Sequence, residues 1–204
     1  CMFNTGQSCD APTRLLVEQS CYDEVVEIAR RAALETGVDD PEREGDHIGP
    51  LFDQIQFDRV QAMIQVGIEE GANLIAGGLG RPEGFDSGWY VRPTIFADAN
   101  NTMRIAREEI FGPVLTIIPF ETEAEAIEIA NDTLYGLAAY VQTGNADRAA
   151  RLSRALRAGA VHFNGGAYEY GSPFGGYKAS GNGREGGKMG LEDFLETKIV
   201  HGLF

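Results

Sequence analysis

Apolar positions in this chain fall into short dense runs separated by stretches of helical spacing. Thr13–Glu18 holds Leu15, Leu16 and Val17 in succession and reads as a short buried strand. Ser20 then offers an N-cap, and Val25, Ile28, Ala29 and Ala32 repeat at helical spacing until Gly37 closes the helix. Residues 38–49 are rich in Asp, Glu, Pro and Gly and read as a solvated loop. A second helix starts near Asp53, with Val60, Met63, Ile64 and Ile68 on one face and Gln61, Gln65 and Glu69 on the other. Asn73–Ala76 is a brief strand, and Tyr90–Phe96 is extended, with Pro93 assigning part of it to an edge.

Val114–Phe120 is the run richest in β-formers and reads as a central strand. Thr122 and Glu125 have capping-box spacing for a helix presenting Ala126, Ile127 and Ala130. Leu137–Val141 is a further strand. A helix follows with Ala149, Leu152, Ala155 and Leu156 facing inward, ending at Gly159, and Ala160–Asn164 is a strand again. Strands alternating with helices predict an α/β fold with a mostly parallel sheet. Between Gly165 and Gly190 Gly, Tyr, Lys and Ser prevail, too few aliphatic groups for a core, so this segment must cover or line something. Leu191–Phe204, with Phe194, Leu195, Ile199 and Val200, reads as a terminal strand.

The 204 residues allow one substantial core or two modest units, and 43% apolar with 24% charged residues is a globular balance. No apolar run approaches the length of a bilayer span, and no charged-then-apolar leader precedes the fold. The chain opens on Cys1, not Met, and reads as a fragment or an excised domain. A net charge of -14 argues against a nucleic-acid or anionic-membrane surface. Arg148, Arg151, Arg154 and Arg157 are spaced as one solvated helix face. The odd set Cys1, Cys9 and Cys21 lacks paired spacing, which fits a reducing compartment, the cytoplasm. His47, His162 and His201 stand apart from one another and from the cysteines, so no metal site is expected.

The candidate chemistry centres on Cys9. A structural cysteine usually sits in an apolar run, whereas Cys9 has Gly6, Ser8 and Asp10 around it. These neighbours fit either a reactive thiol or a plain polar-loop cysteine. The distance to Arg14 is too short for a phosphatase-type anion loop, and neither His47 nor His162 has local sequence supporting a papain-like partner. Gly181–Gly186 matches a dinucleotide fingerprint on paper but lies within a Gly-rich loop, without the required strand and helix.

Gly6-Gln7-Ser8-Cys9 followed by Ala11-Pro12-Thr13-Arg14 resembles the nucleophile motif of NAD(P)-dependent aldehyde dehydrogenases. Three further stretches resemble the family in the same order: Glu108-Glu109-Ile110-Phe111-Gly112-Pro113-Val114, Asn131-Asp132-Thr133-Leu134-Tyr135-Gly136-Leu137 and Ser172-Pro173-Phe174-Gly175-Gly176-Tyr177-Lys178. The resemblance implies a three-layer, mostly parallel catalytic domain over residues 1–186 and a tail, residues 187–204, whose strand joins a neighbouring subunit of a homo-oligomer (dimer or tetramer). It implies Cys9 as the nucleophile toward a small-molecule aldehyde and NAD or NADP as the cofactor. Glu109 would accept bonds from the nicotinamide ribose and Phe111 would pack beside the nicotinamide, where the residues alone allow an exposed turn. Gln56, with Arg59, would lie near the adenosine ribose, an exposed helix face being the alternative.

Phe3, Tyr170 and Phe174 would line the aldehyde tunnel by the same resemblance, with core packing as the alternative for Phe3 and Phe174. In the family the general base, an oxyanion amide and most of the cofactor-binding sheet precede the nucleophile, so this chain alone is expected to be inactive. Two rival functions remain open at this stage: a CoA-acylating relative, in which CoA replaces water, and a non-catalytic scaffold subunit of the same fold.

Overall fold

A computed structural model of the chain describes residues 1–202 and divides it into two compact units, Cys1–Asp132 and Thr133–Phe204. Packing thus separates the chain at Asp132, whereas the sequence placed a division of roles at residue 186.

The first unit contains, in order, β1 (Arg14–Glu18), α1 (Tyr22–Glu35), β2 (Gly37–Val38), β3 (His47–Ile48), α2 (Gln54–Glu69), β4 (Asn73–Ala76), β5 (Thr94–Ala97), α3 (Arg104–Arg107), β6 (Val114–Phe120) and α4 (Glu123–Asn131). Its main sheet runs β1-β6-β5-β4, with β1, β6 and β5 parallel and β4 antiparallel to β5. The period-two pattern of the strands sends their side chains to two separate cores. Ile95 and Ile117 meet Tyr22, Ala29 and Ala33 of α1 on one face. Phe96, Val114 and Ile118 meet Val60, Met63 and Ile64 of α2 and Ile105 of α3 on the other. The three-layer α/β reading therefore holds in this unit. Each fully buried Ile, Val or Phe here contributes about 1.5–3 kcal/mol over its exposed state.

Several local expectations are corrected. Ser20 bonds Glu18 (Oγ to Oε1, 3.2 Å) instead of capping α1, which follows a short 3-10 turn and ends at Glu35 with Thr36 as its C-cap. Gly37 belongs to β2. The inward face of α1 is Tyr22, Ala29 and Ala33, which pack with Ile95 and Ile117 of the sheet, while Ile28 is 47% exposed on the other side. On α2, Ile68 faces solvent and Gly67 takes the inward place, where a Cβ would stand only 2.8 Å from the Phe96 ring. β5 starts just after Pro93, so the proline spares the ladder and all four strand residues are buried between β6 and β4.

Tyr22 reaches through the α1-side core to accept the Asp98 N–H at 2.6 Å, where Asp98 has a left-handed φ of +53°. Tyr22→Phe should therefore cost about 1–2 kcal/mol, measured by urea unfolding, because the amide loses its acceptor. Desolvation pushes the Tyr22 phenol up to about 12 from the ordinary 10.0. The folded protein holds the neutral phenol while the unfolded chain ionises first, so this contribution is complete below pH 10 and fades as pH rises toward the folded value.

The second unit contains β7 (Ala138–Val141), α5 (Ala146–Ala155), β8 (Ala160–Phe163) and α6 (Gly187–Glu192). β7 and β8 are parallel, so β7-α5-β8 is a crossover unit. α5 ends at Ala155, before Gly159, whose missing Cβ admits the Gly175 carbonyl. The Gly-rich segment folds back through a pair of backbone bonds between Phe174 and Glu185 (2.7 and 2.8 Å) and through Arg184 Nη1 donating to the Gly176 carbonyl (2.9 Å). Of the expected terminal strand 191–204, residues 193–202 form no regular element and the last two lie outside the described residues. Phe194 and Ile199 are 85% and 74% exposed there. No helix among the described residues is long and apolar enough to cross a membrane.

Candidate active site

The approach to Cys9 is a left-handed turn. Asn4, Thr5 and Gly6 have φ of +50°, +58° and +70°, a sequence of conformations that two non-glycine residues hold only when anchored. The anchors are side chains. Thr5 Oγ1 donates to the Gly49 carbonyl (3.0 Å), and Gln7 Oε1 accepts the Phe52 N–H (2.9 Å). Asn4 Nδ2 donates to the Gln7 carbonyl at 2.8 Å. Gly6 is there because a Cβ would stand 2.0 Å from the Gly112 carbonyl oxygen.

Ser8–Ala11 then closes a turn, with Ala11 N–H donating to the Ser8 carbonyl (3.1 Å) and Ser8 Oγ to Asp10 (2.5 Å). Cys9 stands at the tip of that turn, exposed. Downstream, Arg14 fixes the start of β1: its Nη2 donates to the Ile129 carbonyl (2.7 Å) and to Asn101 Oδ1 (2.5 Å). Burial, more than the neighbouring Arg107, lowers the guanidinium's affinity for its proton.

The second loop runs from α3 to β6. Its two acids differ in their engagements. Glu108 pairs with Arg104 (2.6 Å), and that hydrogen bond holds its carboxyl below the usual range. Glu109 is exposed, and its backbone carbonyl accepts from Arg59 Nη2 at 2.6 Å. Phe111 has φ +57° and is half-buried, and the following Gly112 is the residue that meets Gly6. The thiol loop and the Glu109–Phe111 loop are thereby joined at backbone contact.

Gln56 is no open helix face. It is 6% exposed, and its Nε2 donates to the Ile110 and Phe111 carbonyls (2.9 and 2.8 Å). Phe3 is 87% exposed, which rules out core packing for it. In the second unit Phe174 is half-buried, and Tyr170 projects fully into solvent without packing on it.

The aromatic partner of Phe174 is Tyr168, edge-on at 5.6 Å, which the sequence reading missed. Tyr168 in turn meets His162 (4.6 Å), and His162 stacks on Tyr140 (5.0 Å). Tyr140 and His162 are register partners across β7 and β8, and their matching places in two consecutive strands were the available signal. His162 Nδ1 lies 2.9 Å from the Gly166 carbonyl, an acceptor only, so Nδ1 carries the proton. No group of three or more His, Cys, Asp or Glu among the described residues could hold a metal ion.

Residues 1–200 match the aldehyde dehydrogenase family. A 3-succinoylsemialdehyde-pyridine dehydrogenase from a Pseudomonas species is 55% identical over 98% of this chain and 42% of its own length. The crystal structure of an aldehyde dehydrogenase from Bartonella henselae superposes with a TM-score of 0.95 at 50% identity, covering 97% of this chain and 42% of that one. A mutant of aldehyde dehydrogenase C from Pseudomonas syringae, in complex with NAD+ and octanal, superposes with a TM-score of 0.94 at 50% identity, over 97% of this chain and 41% of that one. The chain thus spans about two fifths of the length of the relatives it matches.

Proposed function

The chain belongs to the aldehyde dehydrogenase family, and on that footing we propose that it supplies the nucleophile-bearing part of an enzyme oxidising an aldehyde to a carboxylic acid with NAD or NADP. The observation that carries this reading is the contact of Gly6 with Gly112, which joins the exposed thiol to a loop bearing a solvent-facing carboxylate and an aromatic ring. Such a carboxylate suits ribose hydroxyls, which only need a charged acceptor, and a half-buried ring suits one face of a planar base. Glu109 and Phe111 would hold the nicotinamide half of the cofactor. The bound nicotinamide supplies a hydride acceptor.

In the proposed reaction the Cys9 thiolate attacks the aldehyde carbon, forming the C–S bond as the carbonyl π pair moves to oxygen. The backbone N–H of Cys9 is a donor for that oxyanion. When the C–H bond breaks, hydride departs with its electron pair and a thioester remains on Cys9. Water cleaves the thioester, releasing the acid and returning the thiol. We assign the base for that water to none of the residues above, so the 204-residue chain alone is expected not to complete turnover.

Three further features are proposed with this reading. The exposed apolar side chains of Phe194, Leu195, Ile199 and Val200 support a tail that joins a neighbouring subunit, in a dimer or tetramer. Phe3, exposed in the first unit, is offered as part of the aldehyde path. The unpaired cysteines suit the cytoplasm.

Glu109→Gln tests the cofactor assignment. The native polypeptide should show an NAD KM about tenfold or more higher, since a hydrogen bond to a charged acceptor is lost, with its aldehyde KM little changed. An unchanged NAD KM would contradict the assignment.

A further inference from the structure

We infer that Gln56, assisted by Arg59, is a positioning residue that sets the conformation of the Glu109–Phe111 loop. The inference deepens the proposed cofactor site and rests on that reading of Glu109 and Phe111. Gln56 and Arg59 lie one turn apart on α2 and so share a face of the helix. Between them they take three successive peptide carbonyls: Arg59 Nη2 donates to Glu109 (2.6 Å), and Gln56 Nε2 to Ile110 (2.9 Å) and Phe111 (2.8 Å).

Successive carbonyls point to alternate sides of an extended strand, so a chain offering three in a row to one helix must leave the extended conformation. Phe111 does so, at φ +57°. For a bulky side chain that conformation is unfavourable by itself and persists only where surrounding bonds hold it. A primary amide suits the task because its two N–H groups diverge from one nitrogen and can serve two neighbouring acceptors. Burial raises the stakes, since Gln56 is 6% and Ile110 4% exposed and water cannot readily replace the lost donors. The donor itself is fixed, because Asp53 caps α2 by accepting the Gln56 N–H at 2.8 Å. The residues leading into this helix also receive Thr5 and Gln7 from the thiol loop. One helix start therefore braces both loops.

The test compares Gln56→Leu and Gln56→Glu with wild type in the native polypeptide, using hydrogen exchange and NAD kinetics. In Gln56→Leu, amides between Glu108 and Gly112 should exchange at least about tenfold faster while those of β1 stay within twofold. The NAD KM should rise about tenfold in both variants. Gln56→Glu carries a further signature. Its ionised carboxylate faces two carbonyls, but once protonated it can donate again, so its NAD defect should shrink as pH falls toward about 5 whereas that of Gln56→Leu should not.

Combining either change with Glu109→Gln should add little beyond the single losses, because both act through one loop. Unchanged exchange in the loop would overturn the inference. So would losses that simply multiply in the double variants, which would mean that Gln56 meets the cofactor itself. If Glu109→Gln leaves the NAD KM unchanged, the cofactor reading fails and the inference with it. If Glu109→Gln raises the NAD KM but the Gln56 variants leave it unchanged, the cofactor reading stands and only the inference falls.

Discussion

Cys9→Ser should abolish aldehyde-dependent NADH formation in the native polypeptide, by about 10³-fold or more, while leaving the fold intact. The two halves of that expectation have separate causes. A serine hydroxyl is far less acidic than a thiol, so at neutral pH the variant has almost no anionic nucleophile to offer the carbonyl. The fold is spared because Cys9 is exposed at the tip of the Ser8–Ala11 turn, whose closing bond uses the backbone of other residues. Surface substitutions of this sort stay within about 0.5 kcal/mol. Chemical denaturation alongside the kinetics therefore separates lost chemistry from lost structure. A Cys21→Ser variant is the matching control, since that thiol is also exposed and donates to the Glu18 carbonyl, at 3.4 Å, away from the Ser8–Ala11 turn.

Gly6→Ala is expected to be the most damaging single change to the structure. A Cβ there would lie 2.0 Å from the Gly112 oxygen, 2.2 Å from its carbon and 2.8 Å from the Pro113 nitrogen. All three atoms are backbone, so no rotamer change relieves the clash and the two loops must separate. The left-handed φ of +70° adds strain of its own. Together these should cost about 3 kcal/mol or more, equivalent to about 6–12 °C in Tm for a chain of this size. Gly84→Ala isolates the conformational part, because Gly84 has φ +87° with nothing within 4 Å of its Cβ position. It should cost only about 1 kcal/mol. If Gly6→Ala proves no worse than Gly84→Ala, the contact between the two loops is not what holds them.

What could be read in the sequence was mostly what short-range physics decides. β6 announced itself by a continuous run of β-formers, and it is a buried interior strand. Thr122 was legible as a cap from its spacing to Glu125, and it accepts that residue's N–H; the helix start read near Asp53 is capped by Asp53 in the same way. Choices between adjacent residues were harder. Ile68 and Gly67 differ in which one faces the sheet, and the outcome follows from the bulk of Phe96, a residue remote in sequence.

The site divides in the same way. The surroundings of Cys9 were visible as a local pattern, but the left-handed run Asn4–Gly6 depends on Gly49, Phe52 and Gly112, which no local window contains. The resemblance singled out Glu109, and the fold adds that Arg104 claims the neighbouring Glu108, a pairing of side chains one turn apart on a short helix end. The burial of Gln56 was not legible. A polar residue at the start of an amphipathic helix gives no sign that it is buried until the loop it supports is folded against it.

The most direct test of the account is a mass measurement on the trapped intermediate. The native polypeptide would be mixed with an aldehyde panel and NAD or NADP, quenched in acid within the first turnover, digested and weighed peptide by peptide. The expected result is an acyl group, the aldehyde less two hydrogens, on the peptide containing Cys9, formed only when the nicotinamide cofactor is present. NADH production with no acyl group on Cys9, or one found on Cys1 or Cys21 instead, would contradict it.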